Sequence, residues 1–364
     1  MTDLWPRYAP LLSNVEKPSR YLGREYGAVD PADKPDADYH AVFIYPDTYE
    51  IGQANQAVAI LYDSLNSDPH ILCERAYLPW IDMIALMREE GLPLCSLESY
   101  APLSEFDFVG ITLPHELAAT NVLEVLDLGG IPLHASERGE GDPLVMAGGP
   151  CAYNPEPYAP FFDAFFIGEG EELDLAVARR HRELRDAGAS RAQILREIAA
   201  IPGMYVPSLY REKSAEERAC PLEGVRDTIR TCYAPLDDGV PALVRKAVIA
   251  DFDSTKALPT PIVPYQELVH DRLAVEVLRG CARGCRFCQA GMIYLPVRER
   301  SLERILELAQ KLVDETGYEE ITLSSLSTGD YTCLPQLAHE LMEKFAKKRI
   351  ALSLPSLRLD SQLK

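Results

Sequence analysis

The chain is poor in several things, and each shortage excludes a class of protein. No apolar run approaches the ~20 residues that a membrane-spanning helix needs. The start, Met1-Thr2-Asp3-Leu4-Trp5-Pro6, has neither the basic segment nor the apolar segment of an export signal. Cations are scarce: 36 Lys and Arg stand against 56 Asp and Glu, a net charge of −20. Passive binding to a phosphate backbone needs the opposite balance. The acidity keeps a protein soluble and does not speak against a local basic groove. There is no internal repeat and no low-complexity tract. With no export signal, the nine cysteines of 364 residues do not suggest a disulfide framework. The expectation is a cytoplasmic protein without membrane contact, of at least two domains.

What is present is a rhythm. Residues 1–37 are polar and proline-bearing and read as an arm. Apolar runs then follow at His40–Tyr45, Ile71–Ala76, Phe106–Leu113, Leu144–Ala147 and Ala164–Ile167, as in buried parallel strands. Helical spacing lies between them, at Ala54–Leu65, Ile81–Glu90, Glu116–Leu128 and Glu171–Arg185. Trp80 and Met83 begin one of these helices as expected core residues. Strands alternating with helices predict an α/β domain over 38–200 with a mostly parallel sheet. Residues 201–270 carry many prolines, ending in Leu258-Pro259-Thr260-Pro261-Ile262-Val263-Pro264, and read as an extended connector. Within it, Ala242–Ala250 has strand character.

Regularity returns in 271–364. Leu273–Leu278 reads as a strand. A helix is capped by Ser301 and ended by Gly317. Ile321–Leu323, Leu334–Lys348 and Ile350–Leu354 complete β-α-β-α-β. An eight-fold barrel takes ~250 residues, so the stop at Lys364 suggests the first half of a barrel, with the chain truncated.

The first of these strands delivers Cys281-Ala282-Arg283-Gly284-Cys285-Arg286-Phe287-Cys288. Three thiolates fit an iron–sulfur cluster with one iron left open to a substrate. Structural zinc would want a fourth ligand nearby, and the next cysteine is Cys333. Arg279, Arg283 and Arg286 can offset the cluster's charge. Cys73, Cys95 and Cys151 are unevenly spaced and read as ordinary buried thiols. His115 and His134 stand alone.

The C-x3-C-x2-C spacing, with an aromatic before the last cysteine, resembles the cluster motif of radical S-adenosylmethionine (SAM) enzymes. The resemblance implies a [4Fe-4S] cluster on Cys281, Cys285 and Cys288, with Phe287 against the SAM adenine. It implies reductive cleavage of SAM, with electrons from a flavodoxin or ferredoxin type of donor. The family's Gly-Gly-Glu is absent after the second strand, where Ser325, Ser327 and Asp330 are the candidates for SAM; their alternative is turn chemistry. Pro296-Val297-Arg298-Glu299-Arg300-Ser301 is similar to the basic segment after the cluster loop in methylthiotransferase-like members, and reads equally as a solvated helix start.

Residues 39–172 resemble the Rossmann-like, cobalamin-binding type of domain that precedes many radical SAM cores. Ala147-Gly148-Gly149-Pro150 and Ile167-Gly168-Glu169-Gly170-Glu171-Glu172 carry that likeness. Carboxylates at a helix N-terminus are favourable in any case, so Glu169, Glu171 and Glu172 read as structural. Where the family has Asp-x-His-x-x-Gly, this chain has Asp47-Thr48-Tyr49-Glu50-Ile51-Gly52. Tyr is a poor neutral ligand for cobalt. Two readings stay open: cobalamin held near Tyr49, Gly52, Gly148 and Gly149 without an axial protein ligand, or the fold without cobalamin. The implied activity is radical chemistry, with methyl or methylthio transfer on an unknown substrate. The alternatives are a non-enzymatic redox or cobalamin-sensing protein and an inactive fragment.

Overall fold

The computed structural model describes residues 1–218, 232–255 and 261–358. Its first sheet has six strands in the order β2-β1-β3-β4-β5-β6. They are β1 (Tyr39–Tyr45), β2 (Ile71–Tyr77), β3 (Phe108–Thr112), β4 (Leu144–Gly148), β5 (Ala164–Phe166) and β6 (Met204–Tyr205). All neighbours pair in parallel except β5 and β6. The order turns back at β1, so β2 lies on one side of it and β3 on the other. In sheets of this kind ligands bind beyond the carboxyl ends of the strands at such a reversal.

Both faces of the sheet are covered. Along β1, Val42 and Ile44 join one core, while Ala41, Phe43 and Tyr45 join the other. This period of two is what a pleated strand imposes. The first core takes Met83 and Met87 of α2 (Ile81–Glu90) and Val122, Val125 and Leu126 of α3 (Ala119–Leu128). It also takes Leu4, Tyr8, Leu11 and Leu12, so the N-terminal segment packs as part of the sheet's cover. The second core takes Val58, Tyr62 and Leu65 of α1 (Gln56–Asn66), and Leu173 and Val177 of α4 (Gly170–Asp186). Ile194 and Ile198 of α5 (Arg191–Ala199) complete it. The spacing did not announce α5, whose start is a capping box of Ser190 and Gln193. Trp80 is the exception to the expected core: it is 41% exposed, with the Arg20 guanidinium over its ring.

The proline-rich segment is more structured than an extended connector. β6 closes the edge of the sheet, and β7 (Tyr210–Glu212) pairs with β8 (Tyr233–Pro235). The strand expected at Ala242–Ala250 is reduced to one bridging residue, Ala247, opposite Gly168. Pairing stops there because the Glu169 carboxylate takes the next available amide, Ile249 N, at 2.6 Å. Of the run Leu258–Pro264, residues 258–260 lie outside the described residues, and Val263 bridges to Tyr26.

The second sheet runs β13-β12-β9, all parallel: β9 (Leu273–Glu276), β12 (Glu320–Ser324) and β13 (Ala351–Ser353). Its core holds Val275 and Leu323 against Ile305, Leu308 and Leu312 of α6 (Leu302–Thr316), and Leu337 and Leu341 of α7 (Leu334–Phe345). The caps are the expected ones. Ser301 accepts from Arg304 N at 3.3 Å, and Gly317 ends α6 at φ 73°, a left-handed conformation that glycine adopts without strain. The expected first strand is split: after β9, β10 (Leu278–Arg279) turns to pair antiparallel with β11 (Arg298–Glu299). No helix among the described residues is long and apolar enough to cross a membrane.

Candidate functional site between the two sheets

A cavity of about 530 Å³ opens where the carboxyl ends of the two sheets face each other. From the first sheet come Thr112 at the end of β3, Gly148 and Gly149 where β4 ends, and Gly168 to Glu171 at the start of α4. Asn55 and Gln56 contribute from the start of α1. From the second sheet come Glu276, Arg279 and Gly280, leading into the cysteine loop, and Ser324 to Leu326 from the end of β12 onward. Gly149 sits at φ 102°, and a Cβ there would lie 2.9 Å from the Leu113 carbonyl oxygen, so only glycine lets this wall fold back on itself.

The walls are joined by ion pairs. Arg279 bonds Glu276 at 2.8 and 2.9 Å and reaches Glu171 at 2.8 Å. Arg298 bonds Glu169 at 2.7 Å and the Ile249 carbonyl at 2.8 Å. Burial alone would raise the Glu169 carboxyl; the bonds from Arg298 and Ile249 N outweigh it and hold it below the usual range. Phe252 lies beneath this cluster, with the guanidinium carbons of Arg300, Arg279 and Arg298 at 4.0, 4.9 and 5.8 Å from its ring centre. Arg300 is 2% exposed, donates to the Phe252 carbonyl, and is pushed down to about 10 by burial. The solvated reading of Pro296–Ser301 is therefore corrected over Arg298–Ser301, which Phe252, Asp253 and Glu169 enclose, while Pro296 and Val297 are exposed. Glu169 and Glu171 are structural, as expected, through arginines that sequence spacing could not assign to them.

Arg279 is thus engaged by Glu276 and Glu171, with Glu169 at 3.6 Å, instead of being free beside the cysteines. Cys281 is half-buried, and Cys285 and Cys288 are exposed. Cys288 N donates to the Cys285 carbonyl at 3.0 Å in a tight turn. Among the described residues no three His, Cys, Asp or Glu side chains converge to hold a metal, the three cysteines included. The donor set still suits iron–sulfur chemistry, being three soft thiols on one exposed loop with Gly280 and Gly284 at positive φ. Phe287 is 93% exposed.

The loop after β12 meets the cysteine loop. Asp330 takes Arg283 Nε at 2.6 Å and the Ser327 hydroxyl at 2.8 Å. The Ser325 hydroxyl lies 2.9 Å from that of Thr328 and supports Ser327 N at 3.2 Å. Ser325 reaches the cavity; Ser327 is buried.

Gly148 and Gly149 line the cavity, but Tyr49 and Gly52 do not, which corrects their grouping. The Tyr49 ring is buried edge-on against Tyr77, and its hydroxyl donates to Glu25 at 2.8 Å. Glu25 is fixed in turn by Arg75 at 2.8 Å. At Gly52 a Cβ would fall 2.3 Å from the Tyr77 ring, so this glycine serves packing. No His or Cys is among the cavity-lining residues.

Asp174 was missed. It lines the cavity from α4, yet it is only 3% exposed. The sequence held a signal. Leu173, Asp174, Val177, Ala178 and His181 form the buried stripe of α4, and a carboxylate on an apolar stripe calls for a reason.

Comparisons with known proteins agree with this arrangement. Residues 57–207 match the family model described as radical SAM proteins, N-terminal, and residues 275–364 match that of the radical SAM superfamily. An uncharacterized protein of Methanocaldococcus jannaschii, MJ0966, is 26% identical over 305 residues, covering 83% of this chain and 52% of that protein. The threonylcarbamoyladenosine tRNA methylthiotransferase MtaB of Bacillus subtilis is 32% identical over 145 residues, covering 37% of this chain and 26% of that one. The radical S-adenosylmethionine methyltransferase TsrM of Kitasatospora setae, solved with cobalamin and a [4Fe-4S] cluster bound, is similar in fold. Its TM-score is 0.50 at 13% identity, covering 86% of this chain and 55% of that one. The chain spans about half the length, or less, of these relatives.

Proposed function

This chain is a radical SAM protein, and we propose that it is an enzyme that holds a [4Fe-4S] cluster on Cys281, Cys285 and Cys288 and works on a substrate in the cavity between its two sheets. The observation that carries this is that the residues leading into the cysteine loop, the loop after β12 and the glycine turns after β4 and β5 meet on one cavity. Residues 38–200 and 271–364 are read as its two domains, the first with the fold of cobalamin-binding domains.

When bound, the cluster supplies the electron that cleaves SAM to methionine and a 5′-deoxyadenosyl radical. The rest falls to the chain. Asp330 fixes the cysteine loop through Arg283, and Ser325 offers a hydroxyl where the SAM amino end would lie. Glu169 and Glu171 hold the mouth of the loop through Arg298 and Arg279, keeping both cavity walls in register. Exposed Phe287 and Met292 would cover the adenine.

Gly148 and Gly149 form a wall that a large planar ligand can approach closely, and Asp174 presents a buried polar group to it. These residues fit a corrinoid bound without a protein ligand to cobalt, since among the described residues no His lines the cavity. A bound corrinoid would supply methyl transfer; without one, methylthiolation and radical rearrangement stand level. The substrate class stays with the whole protein. A flavodoxin or ferredoxin type of donor and a cytoplasmic setting complete the proposal.

The test is anaerobic reconstitution of the chain with iron and sulfide, followed by reduction and electron paramagnetic resonance with and without SAM. A reducible cluster whose signal changes on adding SAM supports the reading. A cluster indifferent to SAM favours a redox protein and overturns the enzyme.

A further inference from the structure

Asp174 sits on the first turns of α4, pointing with Leu173 and Val177 toward the interior. Its carboxyl oxygens lie beside Gly170, about 3 Å from where a Cβ on that glycine would stand. Among the described residues no donor and no cation meets them; the one charged neighbour acting on the group is Glu171. Burying a polar group without a partner costs on the order of 1–3 kcal/mol. Natural cores replace such groups with apolar ones unless something else completes them. Here the carboxyl reaches the cavity surface, so its partner comes from what fills the cavity, water or a ligand.

We propose that Asp174 is a ligand-binding residue of this cavity, its carboxyl pairing at two points with a primary amide on the rim of a bound corrinoid. This deepens the corrinoid reading above and rests on it. Burial, with Glu171 adding to it, holds Asp174 well above the usual carboxylate range. Burial thus favours the neutral form, which carries one O–H donor and one carbonyl acceptor. A primary amide carries the complementary acceptor and donor, and a corrin ring bears several. The ionised form would instead face Glu171 across a poorly solvated wall. Arg279 does not neutralise Asp174, because Glu171 and Glu276 engage it.

The experiment is titration of the purified 364-residue chain with hydroxocobalamin, read by absorbance after desalting, for wild type, Asp174→Asn and Asp174→Leu. Asp174→Asn keeps one donor and one acceptor and should bind like wild type. Asp174→Leu should weaken binding about tenfold, the worth of one to two neutral hydrogen bonds. It should also keep or raise the denaturation midpoint, because it removes an unpartnered polar group from an apolar stripe; a structural aspartate would do the reverse. Wild type binding while Asp174→Leu binds equally well overturns the assignment alone, as does Asp174→Asn losing cobalamin as fully as Asp174→Leu. Wild type retaining none overturns the corrinoid reading, and the assignment falls with it; the three proteins then behave alike, which tells the two failures apart.

Discussion

Arg298 places its guanidinium 2.7 Å from the Glu169 carboxylate, joining the strand after the cysteine loop to the helix start after β5. Their side chains are 13% and 12% exposed. Together with Arg279 and Glu171, this ion pair joins the two cavity walls, with Ile249 bound to both of its partners.

Removing one partner leaves the other charge poorly solvated. Glu169→Gln and Arg298→Met should each destabilise by about 2–4 kcal/mol, and the double variant by less than their sum. A double-mutant cycle in urea measures the coupling. Additive effects would mean the pair does not join the walls.

Phe252 should matter for its face as well as its volume. Phe252→Ala empties a buried site and should cost about 3–5 kcal/mol. Phe252→Leu keeps much of the volume but loses the surface that three arginines share, and should cost about 1–2 kcal/mol. Denaturant midpoints separate the two; equal costs would reduce Phe252 to filler.

Acid should loosen the molecule in a definite window. Glu25, held by Arg75, and Glu169, held by Arg298, both have folded-state values below their ordinary ones. Depressed carboxyls contribute stability that is fully present above the unfolded value, about 4.3. That stability is lost as pH falls through the folded values. Melting temperature against pH should be level toward neutrality on this account and fall below about pH 4.3. In Glu169→Gln the fall should be shallower.

Each of Cys281→Ala, Cys285→Ala and Cys288→Ala should abolish retention of iron and sulfide after reconstitution, while Cys333→Ala retains both. Iron and acid-labile sulfide assays decide this. A cluster that survives any one of the three losses would refute the ligand set.

Ser325 and Ser327 should part company. Ser325→Ala should weaken SAM binding about 3- to 10-fold, the worth of one hydrogen bond, with the cluster intact. Ser327→Ala should instead cost about 1 kcal/mol of stability by removing one of the two partners of the Asp330 carboxylate. Equilibrium dialysis with SAM and urea melts read the two effects.

The sequence by itself determined much of what local pattern can carry. Alternating apolar runs announced β1 to β5. Ser301 and Gly317 marked both ends of α6 because a cap is satisfied within one turn of its own residue. The cysteine spacing named the chemistry because all three sulfurs lie on one loop. Short or long-range features were not legible. β6 is two residues long and has no period of its own. Tyr49 fits a ligand frame in sequence, yet Glu25 claims its hydroxyl from another element.

Only the tertiary structure decided which charges meet. Glu169 reads as a helix-start carboxylate until Arg298 arrives from 129 residues away, and Arg279 reads as a free cation until Glu171 takes it. Asp174 becomes a binding group only because packing buries its helix against a cavity it cannot see in the sequence. The physical reason is common to all three. Helix and strand periods follow from bonds between near neighbours, whereas burial and charge pairing depend on which surfaces the folded chain brings together.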